Sequence, residues 1–191
     1  MYKLAALAVI IGGLYVSQAQ STTKVEIGKA NQDVPQVSSG SSQDDSKILV
    51  DEDATRRARE DEQIMRKITR YYEARTSPFS DPGRVIVTIA RSYGVDPIMF
   101  ASVGIIESGG CVHIPQGSFN CWGWGNGSIS FDSFSDGVDQ VVRSIGTRKI
   151  YGRYQQSGRV EDFAQVYNPA GGEGYIKKIK AVMQQIEDTS L

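Results

Sequence analysis

The 191-residue sequence predicts a mainly α fold with at most a small β-hairpin, near Ile129 to Phe131. Three observations predict it. Apolar residues recur at helical spacing in successive segments between Asp51 and Ile186. Proline stands where helices should start and glycine where one should stop. The stretch "DEDATRRAREDEQIMRKITRYYEAR", Asp51 to Arg75, is rich in helix formers and holds neither Gly nor Pro. The length suits one domain with a tail.

Taken in order, "MYKLAALAVIIGGLYVSQAQ" has one Lys, an apolar run from Leu4 to Val16, and the small residues Ser17 and Ala19. This is the pattern of a signal peptide over 1–19, cut after Ala19. An uncleaved anchor is the rival, and the run is shorter than the roughly 20 apolar residues that span a bilayer. Export to a secreted or cell-envelope location is the expectation, with membrane contact only if this segment stays uncleaved. Residues 20–50 form a Ser-, Gln- and Asp-rich linker with too few large apolar residues to order itself. Residues 51–76 form a charged helix whose narrow stripe of Ile64, Ile68 and Tyr71 or Tyr72 can dock on the domain or leave the helix free.

The domain proper is expected over 77–191. Ser80 or Asp81 caps a first helix, Pro82 takes its first position and Gly94 stops it, with Val85, Ile86, Ile89, Ala90 and Tyr93 on the buried face. Asp96 caps a second, which Pro97 opens. Its Ile98, Met99, Phe100, Val103, Ile105 and Ile106 make it apolar nearly all round, the profile of a helix through a core. Ser133 to Ile145 and Val160 to Val166 read as helices. Tyr175 to Ile186 closes the chain with Ile176, Ile179, Val182 and Ile186 on one stripe.

Formal net charge is -1 and the sequence pI is near 5.9, so nothing marks a nucleic-acid or anionic-membrane partner. The only two cysteines, Cys111 and Cys121, are expected to pair as a disulfide in an oxidising compartment. Such a small loop is worth about 2–3 kcal/mol. Metal ligation by free thiols is the rival, but the chain has one His, His113, to complete a site. His113 reads as a solvated loop residue. No cofactor and no metal are expected, since there is no phosphate-cradling glycine loop after a strand and no ligand cluster.

Glu107 ends the apolar helix, where the helix dipole and apolar neighbours would both raise a carboxyl pKa. A carboxylic acid kept protonated at a cleft edge is what glycoside hydrolysis needs as general acid. A solvated helix-end Glu, or one capping the amides that follow, is the alternative. Trp122 and Trp124 stand in the glycine-rich "NCWGWGNG", where flat apolar faces can stack on sugar rings or form a small satellite core. In "VYNPAGGEGY", Tyr167, Asn168 and Tyr175 can bind a polar ligand or simply pack.

Together, "IIESGG", "NCWGWGNG", "FDSFSDGVDQVVRSI" and "YNPAGGEGYIKKI", spanning roughly Asp96 to Ile186, resemble the lysozyme-like superfamily. The glucosaminidase branch (endo-β-N-acetylglucosaminidase-like) is nearest, with the lytic transglycosylases behind it. The resemblance implies a lysozyme-like helical domain in which Glu107 is the catalytic acid and Trp122, Trp124, Asn126, Tyr167 and Tyr175 bind substrate. The implied substrate is peptidoglycan or a related N-acetylglucosamine glycan, cut at a β-1,4 bond. Ser108 would support the helix end. The sequence departs from the pattern in its long Cys111 to Cys121 insertion and in offering no second carboxylate at a matching place. Glu173, Asp132 and Asp136 are the candidates, Asp136 being more simply a support for the following helix. Three functions follow: a hydrolase, a transglycosylase leaving anhydro ends, or a glycan-binding envelope module without catalysis.

Overall fold

The computed structural model describes residues 42–191, with side-chain environments from residue 52 onward. The expected signal peptide and most of the expected linker lie outside the described residues. Seven α-helices follow in order: α1 (Ser42–Glu73), α2 (Pro82–Ser92), α3 (Pro97–Ser108), α4 (Phe134–Thr147), α5 (Gly152–Ser157), α6 (Val160–Tyr167) and α7 (Gly172–Glu187). Two 3₁₀ turns, Lys149–Tyr151 and Pro169–Gly171, precede α5 and α7. Among the described residues there is no strand, so the segment at Ile129 to Phe131 is loop, tied back by the Phe131 amide to the Ser118 carbonyl at 2.8 Å. No helix among the described residues is long and apolar enough to cross a membrane.

α3 is the axis. It packs against α1, α2 and α7. Met99, Phe100, Ala101, Ser102, Val103 and Gly104 are all fully buried, while Ile98, Ile105 and Ile106 are half-buried, as a helix apolar on nearly every side requires. Its start follows from Asp96, whose Oδ1 accepts the amides of Ile98 at 2.8 Å and Met99 at 3.1 Å. Its end follows from Gly109 at φ 67°, with the amides of Gly109 and Gly110 returned to the carbonyls of Ile105 and Gly104.

α1 begins earlier than expected, at Ser42, so residues 42–50, expected as linker, are helical, and its C-terminal part packs into the core. Residues 52–60 are exposed, and Arg56 pairs there with Asp53 and Glu60 at helical spacing. From Ile64 on the apolar stripe turns inward: Ile68 and Tyr72 are fully buried, and the Tyr72 hydroxyl donates to the Ala101 carbonyl of α3 at 2.9 Å. Arg70 reaches the Ser190 carbonyl at 2.6 Å, and Tyr71 hydrogen-bonds Gln185, so α1 also clasps the C-terminal end of α7. The narrow stripe thus docks on the domain.

α2 differs from expectation at its cap. Asp81 takes a left-handed backbone, φ 52°, and makes no side-chain cap bond; its carboxylate pairs with Arg84 at 2.5 Å instead. The Gly83 amide finds the Thr69 hydroxyl of α1 at 3.2 Å. α1 and α2 can approach so closely because residue 83 has no side chain: a Cβ there would lie 1.9 Å from the Met65 carbonyl oxygen. Ser133 caps α4 as its position suggests, accepting the Asp136 amide at 3.1 Å. α7 starts at Gly172, three residues before the first large apolar side chain of its stripe, and buries Tyr175, Ile179 and Ile186.

Gly83→Ala should therefore force α1 and α2 apart and cost about 1–3 kcal/mol, read as a lowered midpoint of denaturant unfolding. Gly152→Ala, whose added methyl meets nothing within 4 Å, should leave the midpoint unchanged or slightly raised. Burial pushes the phenols of Tyr151 and Tyr154 up to about 12, and that of Tyr72 up as well. The folded chain thus holds protons that the unfolded chain releases, so this stability is whole below the ordinary tyrosine value of 10.0 and is lost as pH rises towards 12. Thermal unfolding followed from pH 9 to 12 should show a falling Tm in step with tyrosinate absorbance (about one unit either side of the window); a flat Tm would contradict it.

Candidate functional site

The site begins where α3 leaves the core. Its last turn places Ser108 inward and Glu107 outward, because neighbours on a helix lie about 100° apart. Ser108 is buried; its Oγ accepts the Cys111 amide at 2.8 Å and faces the carbonyls of Gly104 at 3.0 Å and Cys121 at 2.9 Å. The one hydroxyl proton serves one of those carbonyls at a time. Ser108 therefore supports the helix end, as expected. The disulfide lies directly behind it: Cys111 and Cys121, both buried, stand with their sulfurs 2.03 Å apart.

Glu107 is exposed, so the apolar surroundings that the sequence suggested are absent. Its Oε1 accepts the Tyr175 hydroxyl of α7 at 2.7 Å. Burial pushes the Tyr175 phenol upward, and the hydrogen bond and negative charge of Glu107 push it further, so Tyr175 is a fixed donor. Oε2 has no hydrogen bond among the described residues and looks across at Gly123. A Cβ on Gly123, itself at φ 61°, would lie 3.2 Å from Oε2, so any other residue there would crowd the carboxylate.

Gly123 belongs also to a groove of about 390 Å³, lined with Trp124, Gly125, Asn126, Ile129, Arg148 and Tyr167. Glu107 flanks the groove at its Gly123 and Tyr167 end and is not part of its lining. Tyr167 stacks on Tyr175 with ring planes 8° apart and centroids at 6.5 Å, and it also meets Phe163, tilted 31° at 4.8 Å, and Trp124, tilted 41° at 6.0 Å. The Tyr167 hydroxyl turns inward onto the Trp122 carbonyl. Its burial, with Tyr175 and Glu107 close by, pushes that phenol well above its usual value. Tyr167 is thus held among three rings with its hydroxyl given to the scaffold, and Trp124 is the half-buried ring that the groove presents.

The residues proposed from sequence divide accordingly. Glu107 and Tyr175 meet directly, and Trp124, Asn126 and Tyr167 line one groove. Trp122 is corrected: it is fully buried and stacked on Phe100 with centroids 4.8 Å apart, so it is core and touches no substrate. Gly104 and Gly137 make room for it, since a Cβ on either would come within 3.2 Å of its ring system. Its indole N–H, buried without a partner, is a cost the core carries. Tyr175 is buried and addresses Glu107, with no place in the groove lining. Asn168 uses its side chain on its own turn, accepting the Gly171 amide at 3.0 Å. His113 is exposed.

Of the carboxylates considered as partners for Glu107, Asp136 is occupied by the Asp132 amide at 3.1 Å and by Gln140 at 3.0 Å. The Glu173 side chain is 90% exposed beside Lys177. Among the described residues no group of three or more His, Cys, Asp or Glu is placed to hold a metal.

Two residues went unnoticed in the sequence. Asn120, 5% exposed, is the fastener of the loop: its Nδ2 donates to the carbonyls of Trp124 and Ile129, both at 2.9 Å, and its Oδ1 accepts the Trp124 amide at 2.9 Å. Its signal was an Asn opening a glycine-rich stretch whose backbone needs a side chain to close its turns. Arg148, after the end of α4, joins the groove only through tertiary folding and left no local signal.

Comparison of the chain with protein-family models, with curated proteins and with solved structures gives no match.

Asn120→Ala should remove three hydrogen bonds at once and leave buried loop carbonyls unsatisfied, costing about 1–3 kcal/mol. Because the loss is local, amide exchange should quicken across residues 120–131 well before it does in α3. Uniform acceleration across both would contradict the assignment.

Proposed function

We propose that the protein is a secreted or cell-envelope glycosidase that cuts β-1,4 bonds of an N-acetylglucosamine-containing wall glycan, peptidoglycan above all, with Glu107 as general acid. One observation carries the reading: a solvent-facing carboxylate, held at Oε1 by Tyr175 at 2.7 Å, stands at the end of an aromatic groove and shares Gly123 with it. With Oε1 held, Oε2 is the oxygen left to face a substrate, and the side-chain-free Gly123 leaves space for a glycosidic oxygen to reach it. The half-buried ring of Trp124, backed by Tyr167, offers a stacking face for the apolar side of a sugar ring. The likeness of "IIESGG" and "YNPAGGEGYIKKI" to the lysozyme-like superfamily adds support, since it implies Glu107 as the acid and Tyr167 beside the glycan.

Among the described residues neither Asp136, held by Gln140, nor Glu173, beside Lys177, hydrogen-bonds Glu107, which favours a second reading within this chemistry. With no second carboxylate engaged, Glu107 protonates the leaving oxygen and then, as a carboxylate, takes the proton of the sugar's own 6-hydroxyl as that oxygen closes on C1. The product then ends in a 1,6-anhydro sugar and no water is consumed.

Purified peptidoglycan incubated with the protein and with Glu107→Gln should lose turnover by about 10²- to 10⁴-fold in the variant, the range a general acid supplies. Equal activity of the Gln variant, or glycan binding without release of any fragment by the unaltered protein, would refute the reading. Mass spectrometry of the fragments separates hydrolysis from transglycosylation, because the anhydro end is lighter by one water.

A further inference from the structure

Arg148 stands in the groove with Trp124 and Tyr167, and no carboxylate lines that groove with it. Arg84, Arg91, Arg143, Arg153 and Arg159 each pair with a carboxylate. Among the described residues the Arg148 guanidinium has no ion pair, no side-chain hydrogen bond and no aromatic ring beneath it. The groove lining holds no acid to neutralise it. Two other grooves, both along α1, follow the opposite rule: Arg66 and Arg84 share one with Glu62 and Asp81, and Arg56 shares the second with Glu60.

The backbone of Arg148 is fixed. Gln155 donates to the carbonyls of Ile145 at 2.9 Å and Arg148 at 3.0 Å, and the Tyr151 amide also donates to the Arg148 carbonyl at 3.0 Å. The chain therefore delivers an unneutralised guanidinium to an aromatic groove from an anchored turn. A guanidinium is a planar fork of donors matched to a carboxylate, and it binds one more strongly than any neutral acceptor.

We infer that Arg148 is the anion subsite of this groove, and that it selects glycans carrying a carboxylate substituent on or beside the N-acetylated sugar over neutral glycans of the same backbone. The inference rests on the glycosidase reading for its choice of a sugar as occupant. It goes beyond that reading in naming the residue and the charge that discriminate between substrates. Ring stacking on Trp124 supplies the affinity common to both kinds of glycan, and Arg148 supplies the difference. A purely structural role is also open to a cation here, since Arg148 follows the C-terminus of α4, where the helix dipole favours positive charge. That role would change stability and leave ligand preference alone.

The test uses two probes that differ only in charge: the disaccharide of N-acetylglucosamine and N-acetylmuramic acid, and its methyl ester. Binding is followed by the indole N–H signals of the chain's two tryptophans, Trp124 in the groove and Trp122 in the core as internal reference. The free acid should bind at least about tenfold more tightly than the ester, shifting the Trp124 signal. Arg148→Ala should bring the two affinities together while the ester still binds, and Arg148→Lys should restore part of the preference, with Tm unchanged in both variants. Equal affinities in the unaltered protein, a preference that survives Arg148→Ala, or no response of Trp124 to either probe would overturn the inference. Its failure is separable from that of the parent reading. Fragment release from peptidoglycan without any charge preference overturns the subsite alone, whereas an Arg148-dependent preference in a protein that releases nothing overturns the glycosidase reading and leaves the subsite standing.

Discussion

The Ser108 hydroxyl accepts the Cys111 amide and faces the carbonyls of Gly104 and Cys121, at the point where α3 emerges from the core. A helix that is apolar on nearly every side can be buried along its length, but its last carbonyls and the amides that follow need partners wherever it ends. Here they find them within a few residues: Gly109 and Gly110 fold back onto the helix, and Ser108 ties it to both arms of the disulfide loop. Because Ser108 is turned inward for this task, its neighbour Glu107 is turned outward. The direction of the candidate acid is thus a by-product of how the core helix is closed.

The rest of the site is referred to the same helix end. α1 supplies Tyr72, whose hydroxyl grips the middle of α3 at Ala101, and α7 supplies Tyr175, which reaches the Glu107 carboxylate from the other side. Trp122 sits on Phe100 and gives its carbonyl to Tyr167, so the core packing of one tryptophan positions the tyrosine against which Trp124 leans. Asn120 then holds the turn that carries Trp124. Core and groove are therefore mechanically continuous, and the exposed glycine-rich span from Gly125 to Ile129 is tied to them through the Ile129 carbonyl.

Much of the fold was legible because its signals are local. The spacing of Ile64, Ile68 and Tyr72, the Asp96-Pro97 start and the Ile179 to Ile186 stripe all follow from helical periodicity and capping chemistry. What was not legible depends on which elements meet. The two tryptophans are separated by one glycine and look alike in sequence, yet only the space left by Gly104 and Gly137 decides that Trp122 goes in and Trp124 stays out. The exposure of Glu107 was missed for the same reason: apolar residues that precede it along α3 face α1, α2 and α7, and periodicity alone does not say that its own direction is open. Asp81 reads as a cap by type, but a left-handed backbone points its carboxylate to Arg84. Arg148 comes to the groove from just beyond α4, close after "FDSFSDGVDQVVRSI" in the chain, and only the tertiary fold brings it beside Trp124.

The central claim is that Glu107 and the aromatic groove act on one glycan together. The most direct test is a crystal structure of the Glu107→Gln variant with a bound tetrasaccharide of alternating N-acetylated sugars. The account predicts a sugar ring over Trp124 and a glycosidic oxygen within about 3 Å of the residue 107 side chain. A tetrasaccharide seated elsewhere, or one lying in the groove with every glycosidic oxygen out of reach of residue 107, would contradict it.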